Sequence, residues 1–166
     1  MILRDDTRQV IRFLLGVLVA VIVLFFGSIF VFYKAGSTSR THDKTMLNVA
    51  KQKTPIVQVD RYYHLNRGTN SYALAGKSNK KASYYFVYLP KSKKAFLYEA
   101  KKGFTQTEII DKFKKSYRNK SISSINFGWY QGNPVWEIAY KNSNHKLGYV
   151  MYNFKNGIEI NKVDNL

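Results

Sequence analysis

The sequence contains no cysteine, which excludes a disulfide framework and any thiolate metal site. Histidine is nearly as scarce: His42, His64 and His145 stand too far apart to suggest a ligand cluster. Acidic residues are few, 10 Asp+Glu against 27 Lys+Arg, and none is spaced like a general acid with its base. His42 beside Asp43 imitates a base with its orienter, but adjacent residues on a helix do not face one another. The chain also has no nucleophile elbow, phosphate-binding glycine loop or metal-ligand spacing. These residues predict a protein that is not an enzyme and takes no cofactor or metal.

What is abundant is positive charge and one apolar run. The net charge is +17, which favours polyanionic surroundings such as nucleic acid, anionic lipid or an acidic wall polymer. Residues 13–33, "FLLGVLVAVIVLFFGSIFVFY", carry no charge. At about 1.5 Å per residue they measure roughly 30 Å as a helix, the thickness of a bilayer's hydrocarbon core. The run is longer than the apolar region of a signal peptide, and bulky Tyr33 precedes Ala35 against the small-x-small cleavage pattern, so an uncleaved anchor is expected. Arg4, Arg8 and Arg12 precede the run, while Lys34, Arg40, Lys44, Lys51 and Lys53 follow it, a balance that does not fix orientation. Long C-terminal portions translocate largely regardless of charge. The expectation is a single-pass protein of the cell membrane, with a short cytoplasmic tail and the bulk extracytoplasmic. A membrane span makes nucleic acid the poorer partner.

Beyond the anchor the chain repeats itself. Residues 70–88 align without a gap on 134–152, an offset of 64, with Ala75/Ala139, Lys77/Lys141, Tyr85/Tyr149 and Tyr88/Tyr152 identical. Tyr72/Trp136, Leu74/Ile138, Phe86/Val150 and Val87/Met151 match in character, and the same offset sets Phe96 against Ile160 and Thr41 against Thr105. "TQTEIIDKFKKSY" opens with Thr105 and Glu108 in capping-box spacing and places Ile109, Ile110, Phe113 and Tyr117 on one helical face. Its counterpart, "THDKTMLNVAKQK", sets Met46 and Val49 under Ile110 and Phe113 and ends before Pro55. Four strands follow each helix: 56–65, 71–76, 83–89 and 95–99 in the first copy, then 123–130, 135–141, 147–153 and 158–162. Ile125, Phe127 and Trp129 share one face of their strand, as do Trp136, Ile138 and Tyr140 on the next. Those two sets are expected to meet and cover the helix. The fold class is α+β, in five parts: tail 1–12, transmembrane helix 13–33, linker 34–40, and two tandem domains, 41–102 and 103–166.

With those residues in view, "VWEIAY…LGYVMYNFKNGIEI" resembles the PepSY pattern. Trp136 and Glu137 stand on one strand, Tyr149 and Tyr152 on the next, and Gly157 in the turn before the last. PepSY domains commonly carry aspartate where this chain has Asn153. An anchor followed by two PepSY-like (helix plus antiparallel sheet) units is similar to the TseB-like (YpmB) proteins of Gram-positive bacteria. The resemblance implies an extracytoplasmic regulator of cell-wall elongation that binds a penicillin-binding transpeptidase. PepSY units elsewhere are associated with peptidase inhibition, which is the alternative.

Two sets of residues are candidates for contact with a partner. "SYYFVYL" is apolar on both faces, so one face is expected to meet the helix and the other the sister unit, unless the strand lines a protein-binding groove. Tyr84 in this strand, with Tyr62, Tyr63, Trp129 and Tyr130, raises the same choice between core and interface. Basic candidates are Lys80 and Lys81 in "KSNKK", Lys93 and Lys94 in "PKSKK", and Lys114, Lys115 and Arg118 in "KFKKSYRNK". Beside a bilayer they would attract anionic lipid or wall polymer. Glu108 reads as a capping residue and Glu137 as a solvent-facing strand residue.

Overall fold

The computed structural model describes the backbone of residues 3–35 and 37–166, and the side-chain environments of 9–34 and 44–166. Helix α1 (Leu3–Ala35) contains the apolar run, and Gln9–Lys34 is long and apolar enough to cross a membrane. The Ser28 hydroxyl donates to the Leu24 carbonyl at 2.8 Å, so the run's serine is satisfied within its own helix. Helix α2 (Ser37–Lys53) begins inside the expected linker 34–40. The matching of Thr41 to Thr105 as a cap lies outside the described side chains, as do His42 and Asp43.

Both copies of the repeat fall in one compact unit, Asp43–Leu166. Strands β1 (Ile56–Arg67), β2 (Thr69–Ser78), β3 (Ser83–Leu89) and β4 (Lys94–Glu99) form one antiparallel sheet in that order. Helix α3 (Gln106–Ser116) then leads into β5 (Ser121–Tyr130), β6 (Asn133–Lys141), β7 (Leu147–Asn153) and β8 (Glu159–Val163), a second sheet of the same order. The chain is α+β, an apolar helix followed by tandem sheets. At the start of α3 the capping box forms as the spacing predicts. Thr105 Oγ1 accepts from the Glu108 N–H, and the Glu108 carboxylate accepts from the Thr105 N–H at 2.7 Å. That backbone N–H holds the Glu108 carboxyl below the usual carboxylate range.

The repeat is kept in the central strands pair for pair. Tyr72 opposes Tyr88 and Ala75 opposes Tyr85, as Trp136 opposes Tyr152 and Ala139 opposes Tyr149. It slips by one residue on the N-terminal side. His64 opposes Tyr72, but Phe127 opposes Trp136, and the fully buried helix residues are Met46 and Ala50 against Ile109 and Phe113. The expected match of Val49 to Phe113 is therefore corrected: Ala50 is its equivalent, and Val49 is only partly buried. The cause is a turn. β1 reverses through Gly68 alone, whereas β5 reverses through Gln131 and Gly132, all three at positive φ. Phe96 and Ile160 do not correspond either, because β7 pairs Tyr152 with Glu159 and Met151 with Asn161, leaving Ile160 in a bulge.

Strand β3 separates two cores. Phe86 packs with Met46, Ala50, Ile56, Tyr72 and Leu74 beneath α2. Tyr85, Val87 and Leu89 belong to the larger core with Phe127, Trp136, Ile138, Tyr140 and Phe154 of the second sheet and Ile109 and Phe113 of α3. One face of "SYYFVYL" thus meets its own helix and the other the sister sheet. Each of these large apolar side chains contributes roughly 2–3 kcal/mol by leaving water.

Candidate interaction surface

The sheet–sheet contact consumes several aromatics that could have served a partner. Tyr63 is 6 % exposed, its ring edge-on to Phe127 and Trp136. Its hydroxyl donates to Gln106 Oε1 at 3.0 Å, and burial pushes its pKa up to about 12. Tyr63 is a core residue, which corrects its reading as a partner anchor. Trp129 stacks on Phe96 at 4.2 Å, and its backbone N–H donates to Ser71 Oγ at 3.0 Å, joining β5 to the first sheet. The Tyr130 hydroxyl accepts from Asn161 Nδ2. Tyr62 is exposed and faces outward, whereas Tyr84 is partly buried against the core beneath α2.

Two charged constellations went unread in the sequence. Glu137 does not face solvent: its side chain is 5 % exposed and accepts from Arg67 Nε at 2.5 Å, while the Arg67 guanidinium lies 3.9 Å from the Tyr149 ring centroid. A face that alternation assigned to water is covered by the end of β1. The second constellation ties the C-terminal strand to α3. Lys120 Nζ donates to Asp164 at 2.6 Å and to the Tyr140 hydroxyl at 3.1 Å, Tyr140 donates to Asp164, and Lys162 reaches Asp164 at 2.7 Å. Tyr117, under Lys120 and Lys162, donates to Glu159 at 2.7 Å. Burial, then the carboxylates they donate to, raise Tyr117 and Tyr140 above the usual phenol range.

Hydrogen bonds from Lys120, then Lys162 and Tyr140, hold the Asp164 carboxyl well below its ordinary value of about 3.9. Its contribution to stability is therefore complete above that value and lost as pH falls through the lower, folded-state pKa. Asp164→Asn is expected to cost about 1–2 kcal/mol at neutral pH and to flatten the decline of stability below about pH 4. Thermal melts from pH 7 down to pH 2 check this; parallel wild-type and variant curves would remove Asp164 from the acid response.

The basic candidates do not form one patch. Lys80 and Lys81 lie in the β2–β3 turn, Lys93 in the β3–β4 turn and Lys94 at the start of β4, so the two pairs sit at opposite ends of β3; Lys114, Lys115 and Arg118 are exposed on and just after α3. Lys80, however, meets Tyr84 across a cleft of about 470 Å³ lined also by Lys51, Pro55 and Ile56. A second cleft, about 460 Å³, has Tyr84, Leu97, Tyr98, Lys102 and Phe154 in its walls. A third, also about 460 Å³, lies between Ser83, Lys101 and Thr105. Glu99 borders the last two and is occupied by Lys102 at 3.0 Å and Lys101 at 3.3 Å, which hold its carboxyl below the usual range. Aromatic and aliphatic walls under a lysine rim suit an anionic chain with apolar side groups. Among the described residues no group of three or more His, Asp or Glu could hold a metal ion.

No protein-family model matches the chain, and no curated protein sequence does. Among solved structures it is similar to the YpmB protein from Bacillus subtilis, with a TM-score of 0.63 over 73% of this chain and 95% of that one. At 17% sequence identity the likeness is one of fold alone, an antiparallel-sheet architecture that both chains share.

Proposed function

We propose that the chain is a membrane-anchored, extracytoplasmic interaction module that catalyses no reaction and regulates cell-wall elongation by docking on a membrane-bound penicillin-binding transpeptidase. The observation that carries this reading is the joining of a membrane-length apolar helix to a compact tandem of sheets with the fold of YpmB. Confinement to one membrane surface raises the effective concentration of a partner anchored there, so a modest interface suffices. The aromatic and lysine-rich clefts around Tyr84 supply such an interface.

Photocrosslinkers placed at Tyr62, Tyr84 and Arg118 in living cells, read by mass spectrometry, test the reading. Cell-wall synthesis enzymes are the expected captures, together with trypsin cleavage of the lysine-rich unit on intact protoplasts. Capture of cytosolic proteins alone, or protection from trypsin until detergent is added, would overturn it.

A further inference from the structure

We propose that β4 is a strand-pairing site for an extended segment of a partner protein, apolar in its middle and acidic at its ends. The inference rests on reading the chain as an interaction module and specifies how the partner is held. Two four-stranded sheets present four edges, and three of them are blunted. β1 shifts register between Ile56 and Gln58 and again between Val59 and Arg61. β5 shifts between Ile122 and Ser124, and its Trp129 N–H is taken by Ser71. The β7–β8 ladder shifts between Met151 and Tyr152, bulging β8 at Ile160. Bulges and coverage are the usual devices that keep a sheet edge from recruiting another strand. β4 has none of them: Lys94–Glu99 pairs residue for residue with β3, and no other hydrogen bond reaches its backbone among the described residues.

The space beside that edge is already shaped. Leu97, Tyr98 and Glu99 are consecutive and point to alternate faces, yet all three line the same cleft, which therefore follows the strand's edge. Its far wall is Phe154 and Lys155, where the chain leaves β7. An added strand would set side chains of one parity against Leu97 and Tyr84 and those of the other against Tyr98 and Phe154. Apolar residues suit both positions. Backbone pairing supplies affinity in this mode, and the flanking pockets supply selectivity.

Charge selects the occupant. Lys93 and Lys94 open the strand, Lys101 and Lys102 follow it, and Lys155 stands across the cleft, while Glu99 is engaged by Lys101 and Lys102. An antiparallel pair of β4 strands from two copies, fully overlapped, would set Lys94 of each opposite Glu99 of the other, a carboxylate already engaged by Lys101 and Lys102, and would crowd Lys93, Lys101 and Lys102 at each end, so self-association is opposed. The same lysines attract a segment carrying glutamate or aspartate at both ends.

The test uses the full-length protein in nanodiscs of zwitterionic lipid, with hydrogen exchange read by mass spectrometry. The probe is the peptide Glu-Glu-Thr-Val-Ile-Val-Thr-Glu-Glu, with a counterpart carrying lysine for each glutamate. The acidic peptide is expected to slow amide exchange across residues 94–99 at least tenfold, and the basic one to leave it unchanged. The triple variant Lys101→Glu, Lys102→Glu, Lys155→Glu is expected to reverse that preference. Unchanged exchange with the acidic peptide, equal slowing by both peptides, slowing at β1 or β8 instead, or equal slowing by poly(glycerol phosphate) would each overturn the proposal. Crosslinking of a cell-wall enzyme from Arg118 with β4 exchange unmoved would sink this site and leave the tethering reading standing. Peptide binding at β4 without any such capture would do the reverse.

Discussion

Replacing Arg67 with alanine is expected to lower folding stability by about 3 kcal/mol, whereas replacing Arg67 by methionine and Glu137 by leucine together restores most of the loss. Glu137 sits on an inner strand with its side chain 5 % exposed, and Arg67 Nε is its charged partner. Without the guanidinium a carboxylate stays desolvated and uncompensated, which typically costs about 3–5 kcal/mol. Arg67 itself is 37 % exposed, so water can reach the vacated position and the lower end of that range applies. The stacking of Arg67 on Tyr149 adds a smaller loss, on the order of 1 kcal/mol. The double replacement removes both charges and fills the space with apolar volume, which is why it recovers. Urea unfolding of wild type, both single variants and the double variant gives the coupling directly. A loss below about 1 kcal/mol for Arg67→Ala would demote the contact to an ordinary surface ion pair.

The consequence reaches beyond stability. Arg67 ends the first strand of the first repeat, and Glu137 and Tyr149 lie on inner strands of the second, so the contact fixes one sheet on the other. It also explains what periodicity could not read. A lone carboxylate alternating with Trp136 and Ile138 predicts a wet face, and alternation is a local property. Whether that face is wet depends on where the end of β1 lands, seventy residues upstream. The repeat itself was legible because Ala75, Lys77, Tyr85 and Tyr88 recur at fixed spacing in the central strands, where a one-residue slip would turn the core outward. At that offset the helical segments keep only Thr41/Thr105 and Lys51/Lys115 and the first strands none, and the extra residue in the Gln131–Gly132 turn shifted them unseen.

The candidate surface was legible in part for a related reason. Tyr84 and Lys80 stood out within their own short motifs, and the structure places both on one cleft. Lys102 and Lys155 did not stand out, because they come from separate turns and meet only when the β7–β8 connection folds beside β4. Tyr63 and Trp129 looked like anchors for a foreign partner because an aromatic on a strand offers the same signal for either use. Their partner is the sister sheet. Tandem units of this size bury too little alone, so residues that resemble an interface are spent on one within the chain.

Gly128→Val is expected to cost about 3–4 kcal/mol and to shift tryptophan emission to the red. Backbone conformation is not the reason, since Gly128 is not among the positive-φ glycines. Space is. A Cβ at this position would stand 2.5 Å from Leu65 Cβ and 2.6 Å from Ser71 Oγ, distances that real side chains do not tolerate. Leu65 Cβ is fixed to the backbone of β1 and cannot swing away, so β5 must lift from the first sheet. Lifting breaks the bond from the Trp129 N–H to Ser71, worth about 1 kcal/mol, and opens the Trp129–Phe96 stack beside it. The protein has two tryptophans, Trp129 and Trp136, and both lie along this junction, so intrinsic fluorescence reports it with little background. Ser124→Val on the same strand, at an exposed position, is the matched control and is expected to change stability by no more than about 0.5 kcal/mol. If Gly128→Val unfolds at the wild-type urea concentration with unshifted emission, the two sheets do not meet at β5, and the tandem is held together by Arg67 and the aromatic core alone.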